Sequence, residues 1–295
     1  MNILVSTTNY FSDSHTKNLL DTFRQHCPDK INIDFFIVDN SQTLNHDEVG
    51  CRVIVPGKNV GLAKSWKIAC DKFAENKLYD FLFLCNNDVY IKDSSLFSEL
   101  TKYRKNFDIA GPIIYGEDNT IWSAGGDFGF FLNVKHSNTL SSELSLQITG
   151  HISGCFLIIS SNIKSNLHSL IDDSFFFRGE EWFLNYQAAQ YNYQLRLMQK
   201  ARVFHPENSS HERFSERHIY YAIRAKLHFY KKISISCWKS ITFTIIYLIF
   251  LFSWKWSFYY KRSNLTKIKT LQIILLAVFD NIRQDEVIEN TDLTD

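Results

Sequence analysis

The feature that most constrains this chain is a series of short apolar runs that stop at polar residues and are spaced by helical stretches. Ile3–Thr7, Ile33–Val38, Cys51–Val55 and Tyr79–Cys85 read as strands. Between them, His15–His26 carries Leu19, Leu20 and Phe23 on one helical face. A second helix from about Leu62 repeats Leu62, Trp66, Ala69, Cys70 and Phe73 at helical spacing. Such alternation predicts an α/β fold with a mostly parallel central sheet and flanking helices on both faces. Ligands of these sheets bind beyond the C-terminal strand ends. Polar residues stand there: Asp39-Asn40-Ser41 after one strand and Asn86-Asn87-Asp88 after another.

The middle of the chain is less regular. Ile109–Tyr115, Thr120–Ala124 and Ile152–Ser160 read as strands, with Phe128–Gln147 as a long loop. A helix starts near Gly179-Glu180-Glu181 and runs to about Tyr191. A basic-aromatic helix spans about Glu216–Lys232, with Arg224 on its basic, solvated face. From Lys239 to Lys255 the chain is unbroken apolar, aromatic and hydroxyl residues, flanked by Trp238, Trp254, Trp256, Tyr259, Tyr260, Lys261 and Arg262. That is short of the roughly 20 apolar residues of a spanning helix, and its borders suit a lipid–water interface. A helix packed on the domain, or a homodimer interface, is the competing reading. Leu271–Phe279 forms another apolar helix, and the last dozen residues are an acidic, frayed tail. The division expected is a catalytic domain over 1–232 and C-terminal aromatic-rich helices over 233–295.

Composition narrows the classes further. A 45% hydrophobic, 21% charged chain of 295 residues can bury a large core, and a net charge of +1 provides no basic field for nucleic acid. Six scattered cysteines make neither a zinc set nor a disulfide framework, as expected of thiols in a reducing compartment. Met1 runs straight into the first strand without a signal-peptide pattern, so the catalytic part is expected in the cytoplasm.

Taken singly, the candidate residues divide between chemistry and turn-making. Asp88 past a buried strand suits Mg²⁺ or Mn²⁺, which takes one or two protein carboxylates and completes its shell with phosphate and water. Asp and Asn also simply favour strand-to-turn junctions. Asn59 before Gly61 reads first as a helix cap, at a helix N-terminus that could face an anion. Glu180 and Glu181 either compensate a helix dipole or form a like-charge pair with a raised pKa suited to a general base. No GxSxG, HExxH or Walker-type loop competes.

Ten short segments in order resolve these choices. They are the strand ending Thr8-Asn9-Tyr10, VDNS (38–41), KNVGLA (58–63), LCNNDV (84–89), AGPIIY (110–115), IWSAGG (121–126), SGCFLI (153–158), FFFRGEEWFL (175–184), ARVFH (201–205) and YYAIR (220–224). Together they resemble the inverting family 2 glycosyltransferases of GT-A fold, in particular the bacterial rhamnosyltransferase-like branch, over about residues 3–232. The resemblance implies an inverting, metal-dependent transferase. It would move a hexosyl or deoxyhexosyl group from a nucleoside-diphosphate sugar to a saccharide hydroxyl, lipid-linked, in surface polysaccharide synthesis. It implies Asp88 and His205 at the metal, and Thr8, Asn9, Asp39, Asn59, Gly61, Asn86 and Asn87 around the nucleotide sugar. Arg224 would stabilise the leaving group, and Glu181, paired with Glu180, would be the base. The enzyme is then expected peripherally at the inner face of the plasma membrane. Phe183 and Ala225 depart from the pattern where Asp and Asn are frequent. Those departures keep open a catalytically silent binding subunit of a polysaccharide assembly complex, and a polyprenyl-phosphate glycosyltransferase is the enzymatic alternative.

Overall fold

A computed structural model describes residues 1–129, 132–140, 145–206, 214–233 and 237–283. The acidic tail and parts of the 128–147 loop lie outside the described residues.

The chain order is β1 (Asn2–Asn9), α1 (Asp13–His26), β2 (Asn32–Asp39), α2 (His46–Val49), β3 (Arg52–Ile54), α3 (Leu62–Glu75), β4 (Phe81–Cys85) and α4 (Ser95–Tyr103). Next come β5 (Ile109–Tyr115), β6 (Ile121–Ser123), β7 (Gly126–Phe128), β8 (Val134–His136), β9 (Leu146–Ile148) and β10 (Phe156–Ser160). Then follow α5 (Leu167–Leu170), α6 (Glu180–Gln190), β11 (Leu195–Phe204) and α7 (Glu216–Ile233). Three C-terminal helices close the chain: α8 (Cys237–Phe250), α9 (Trp256–Arg262), joined to it by a π-helical turn at Leu251–Lys255, and α10 (Lys267–Arg283).

The main sheet has the order β3-β2-β1-β4-β10-β5-β11-β9, with β6 on β5. β3, β2, β1 and β4 are mutually parallel, β10 is antiparallel to both β4 and β5, and β11 is parallel to β5. The reversed β10 restores direction, so β5 and β11 point the same way as β1–β4. The sheet is mostly parallel, as the alternation predicts. Fully buried apolar side chains line both of its faces. Phe23, Phe83, Phe97 and Phe156 meet on one, and Trp66, Phe73, Leu84 and Leu157 on the other.

Three local expectations change. The strand expected over Ile152–Ser160 begins only at Phe156, because Ile152 is held by Asn185 of α6 instead of by a neighbouring strand. The 128–147 loop contains β8 and the start of β9. Arg224 does not lie on a solvated face: it is fully buried, between α7 and α10. The C-terminal helices share a core with the site, since Tyr247, Leu251, Tyr259, Ile273 and Ile274 cluster with Phe175, Phe176 and Tyr221.

Candidate active site

A cavity of about 380 Å³ opens beyond the C-terminal ends of β1, β2 and β4. A larger hollow of about 710 Å³ lies toward the other ends of β2 and β3, lined by Arg24, Cys27 and Asp34. Ligands of a parallel sheet bind at its carboxyl ends, so the smaller cavity is the candidate site.

Thr8, Asn59, Gly61, Asn86, Asn87 and Asp88, all singled out in the sequence, line it. Behind them runs a buried polar relay. Asn87 Nδ2 donates to Thr16 Oγ1 (3.0 Å), Thr16 Oγ1 donates to Asn9 Oδ1 (2.9 Å), and Asn9 Nδ2 donates to Asp39 Oδ1 (2.9 Å). Asn9, Thr16 and Asp39 are fully buried. Asp39 also accepts from Ser41 Oγ (2.8 Å) and the Leu44 amide (3.0 Å). Burial alone would push its carboxyl up, but these hydrogen bonds outweigh it and hold the pKa below the usual carboxylate range. Asn9 and Asp39 thus brace the strand ends from behind the lining residues. Asn40 ties the same end to α3, donating to Ser65 Oγ (3.3 Å).

Asn59 accepts from the Gly61 amide (2.9 Å), closing the turn before α3; it is not the helix cap, a position that Gly61 occupies. Nor does the first amide of α3 await an anion, because Leu62 N–H donates to the Phe176 carbonyl (2.7 Å). Gly61 has φ +80°, and a Cβ there would lie 2.3 Å from the Phe176 oxygen. Only glycine permits this approach of residues 175–179 to α3.

Asp88 is buried, with Oδ1 3.1 Å from His205 Nε2. On the other side of the imidazole, Nδ1 is buried with no partner among the described residues, and the ring packs on Trp122 at 5.3 Å. Cis ligands of an octahedral cation with bonds of about 2.1 Å are about 3 Å apart, so this carboxylate–imidazole pair fits Mg²⁺ or Mn²⁺. Among the described residues no cluster of three or more His, Cys, Asp or Glu could hold a metal. Further ligands would have to come from phosphate and water. The neighbouring Cys85 and Cys155 thiols are pushed up, by burial first and then by Asp88, and so stay protonated.

Glu180 and Glu181 open α6, after the left-handed pair Arg178 (φ 68°) and Gly179 (φ 89°). A non-glycine residue in that region is sparsely populated and strained. Arg178 lines the cavity, and its Nη2 lies 3.2 Å from His218 Nδ1. Asn185 fixes the first turn of α6: its Nδ2 donates to the carbonyls of Glu181 (2.7 Å) and Ile152 (2.9 Å), and its Oδ1 accepts from Ile152 N–H (2.9 Å). A Cβ on Gly154 would lie 2.9 Å from Glu181 Cβ, so glycine there makes room for the acidic side chain. Burial raises both carboxyl pKa values. Glu180 rises further because of the charge on Glu181, whereas Arg178 and a hydrogen bond shared with Glu180 pull Glu181 back. Of the two, Glu180 is therefore the carboxyl raised further.

Arg224 is not brought to the cavity. Its Nη1 donates to Tyr220 Oη (2.9 Å), and Tyr220 Oη donates to Asp280 Oδ2 (2.5 Å). Arg217, His218 and Tyr221, one to two turns earlier on α7, line the cavity with Phe176 and Phe177. Single-residue reasoning missed them; the excess of basic and aromatic residues in 214–221 was the available signal.

Among solved structures, the chain is similar to GalNAc-T7 with UDP, GalNAc and Mn²⁺ (TM-score 0.61, 15% identity, 88% of this chain and 57% of that one). It is also similar to S. aureus TarS 1-349 (TM-score 0.55, 13% identity, 96% and 81%) and to the same protein in complex with UDP (TM-score 0.53, 14% identity, 96% and 82%). The fold is that of the GT-A glycosyltransferases. At these identities the likeness carries the fold alone. The chain spans only a little over half the length of the GalNAc-T7 structure. No protein-family model matches the sequence, and no curated protein matches it. Within the GT-A frame, the cavity beyond β1, β2 and β4 lies at the carboxyl ends of the parallel strands, with the Glu180–Glu181 pair on the α6 side.

Proposed function

We propose that this protein is an inverting glycosyltransferase that moves a hexosyl or deoxyhexosyl group from a nucleoside-diphosphate sugar to a saccharide hydroxyl. The observation that carries the reading is the Asp88–His205 pair, with Asp88 in the wall of the cavity that Arg178 also lines, just before the Glu180 and Glu181 carboxylates in the chain. GalNAc-T7 and TarS, whose structures contain UDP, support it through the shared fold.

The aromatic lining of Tyr10, Phe11, Phe176 and Tyr221 would hold the base and sugar rings, with the relay behind Asn87 fixing the strand ends. Asp88 and His205 would hold a divalent cation, which supplies charge neutralisation for the diphosphate. Arg178 and Arg217 would add positive charge on the opposite wall, in the role expected of Arg224. Glu181 would accept the proton of the acceptor hydroxyl as the oxygen attacks the anomeric carbon, and the nucleoside diphosphate would depart from the other face. Glu180, protonated, would keep Glu181 oriented. The acceptor is a lipid-linked saccharide at the cytoplasmic face of the membrane, in polysaccharide synthesis, and the enzyme a family 2 member of the rhamnosyltransferase-like branch. The supports are the ordered segments and the apolar C-terminal helices.

Thermal shift with Mn²⁺ and a panel of nucleoside diphosphates tests the donor site. A raised Tm that depends on Mn²⁺ and disappears in Asp88→Ala is expected; a diphosphate effect unchanged by Asp88→Ala overturns the metal assignment.

A further inference from the structure

The C-terminal helices carry an apolar surface that the catalytic reading does not use. The segment that the sequence reads as too short to span continues through the π-helical turn into α9. Ile241–Arg262 is thereby long and apolar enough to cross a membrane, yet little of it is buried. A helix that is apolar all round is stable only inside a protein or against lipid. On α8 and the turn after it, Trp238, Ile241, Ile245, Ile249 and Phe252 are exposed at intervals of three and four residues. α10 repeats the pattern: Ile268, Leu271, Leu275, Phe279 and Ile282 are exposed, while Thr270, Ile273, Ile274 and Ala277 are buried.

Two further observations identify what covers these stripes. From Cys237 to Phe279 the sequence contains no Asp or Glu, but does contain Lys239, Lys255, Lys261, Arg262, Lys267 and Lys269. Lys261, Arg262 and Lys267 are exposed, whereas Lys269 pairs with Glu216 at 3.1 Å. Trp254 and Trp256 stand among them, the residue type favoured at the headgroup level. A second copy of the chain would set this acid-free cationic surface against itself, which like-charge repulsion opposes. An anionic bilayer complements both its charge and its apolarity.

The helix is also tied down. Tyr247, Leu251 and Tyr259 are buried in the core shared with α7, and Lys255 lies over the Tyr247 and Tyr259 rings. Crossing the bilayer would strip those contacts and draw Lys255 into hydrocarbon.

We infer that α8–α9 and α10 form an in-plane docking face for anionic lipid, which deepens and rests on the reading of a lipid-linked acceptor. The test is vesicle flotation of the full chain without donor. Vesicles of phosphatidylcholine with phosphatidylglycerol should bind it about tenfold or more tightly than phosphatidylcholine alone, with the difference shrinking at high salt. Ile245→Glu with Ile249→Glu, and separately Ile268→Glu with Leu275→Glu, should each cut binding about tenfold, leaving the thermal shift by nucleoside diphosphate intact. Retention in the membrane after alkaline carbonate would overturn the inference in favour of a spanning helix. Absence of vesicle binding, with a dimer that the same variants dissolve, would overturn it in favour of a second copy. Loss of the diphosphate shift with lipid binding preserved would instead strike the transferase reading.

Discussion

The β1–β4 side of the cavity and its α6–α7 side are organised by different means. On the first, functional residues follow directly from strand ends, and the relay from Asn87 through Thr16 and Asn9 to Asp39 joins turns that the parallel sheet already brings together. On the second, placement depends on contacts across long stretches of chain. Asn185 holds α6 to Ile152, the Phe176 carbonyl caps α3, and α10 encloses Arg224. The first side can lose a side chain and keep its backbone, whereas the second loses geometry when a contact fails.

The strongest way to break this comparison is at the acidic pair. Glu181→Gln should retain diphosphate binding and lose transfer by roughly 10²–10⁴ in kcat, measured with a donor that gives turnover. Glu180→Gln should be the milder variant; the reverse order would exchange the two roles. Because the Glu181 pKa is raised and its ionised form is required, activity should fall as pH drops through that raised value, above the ordinary glutamate range.

Arg178 and Arg224 sharpen it next. Arg178→Gln should shift the acid limb of the rate profile to higher pH, since the positive charge beside Glu181 is gone, and should raise KM for the donor about tenfold or more. Arg224→Gln should instead lower Tm by several degrees with KM for the donor retained, because it breaks the buried Tyr220–Asp280 contacts. A rise in KM at unchanged Tm would return Arg224 to the donor side.

The smallest effect is expected at the seam. Gly61→Ala adds a Cβ against the Phe176 carbonyl at a left-handed φ and should cost roughly 1–3 kcal/mol of stability, read by denaturant unfolding. A neutral result would show that residues 175–179 can retreat from α3.

Legibility in the sequence follows the same division. β1, β2, β4 and α3 carry continuous or helix-spaced apolar runs, so their ends, and with them the polar turn at Asn86 and Asp88, could be read from local pattern, whereas Thr8 and Asn59 were picked out only by the ordered segments. α4, with Leu96, Phe97 and Leu100 buried, carries the same helix-spaced signal. Residues 152–155 look like strand because they lead into the apolar run Phe156–Ile159, yet Asn185 ties the Ile152 backbone to α6. Arg224 looks solvated because its neighbours are basic, yet the partner that buries it lies 56 residues later in the chain.

The sequence by itself determined the sheet, the polar strand ends and the order of the acidic and basic motifs, because burial periodicity and turn chemistry are local. Tertiary structure alone decided three further things. Asn9 and Asp39 stand behind the site, Arg178, Arg217 and His218 line it while Arg224 does not, and burial raises one of two adjacent glutamates further than the other. Each depends on which distant groups share a desolvated space, and desolvation belongs to the packed chain.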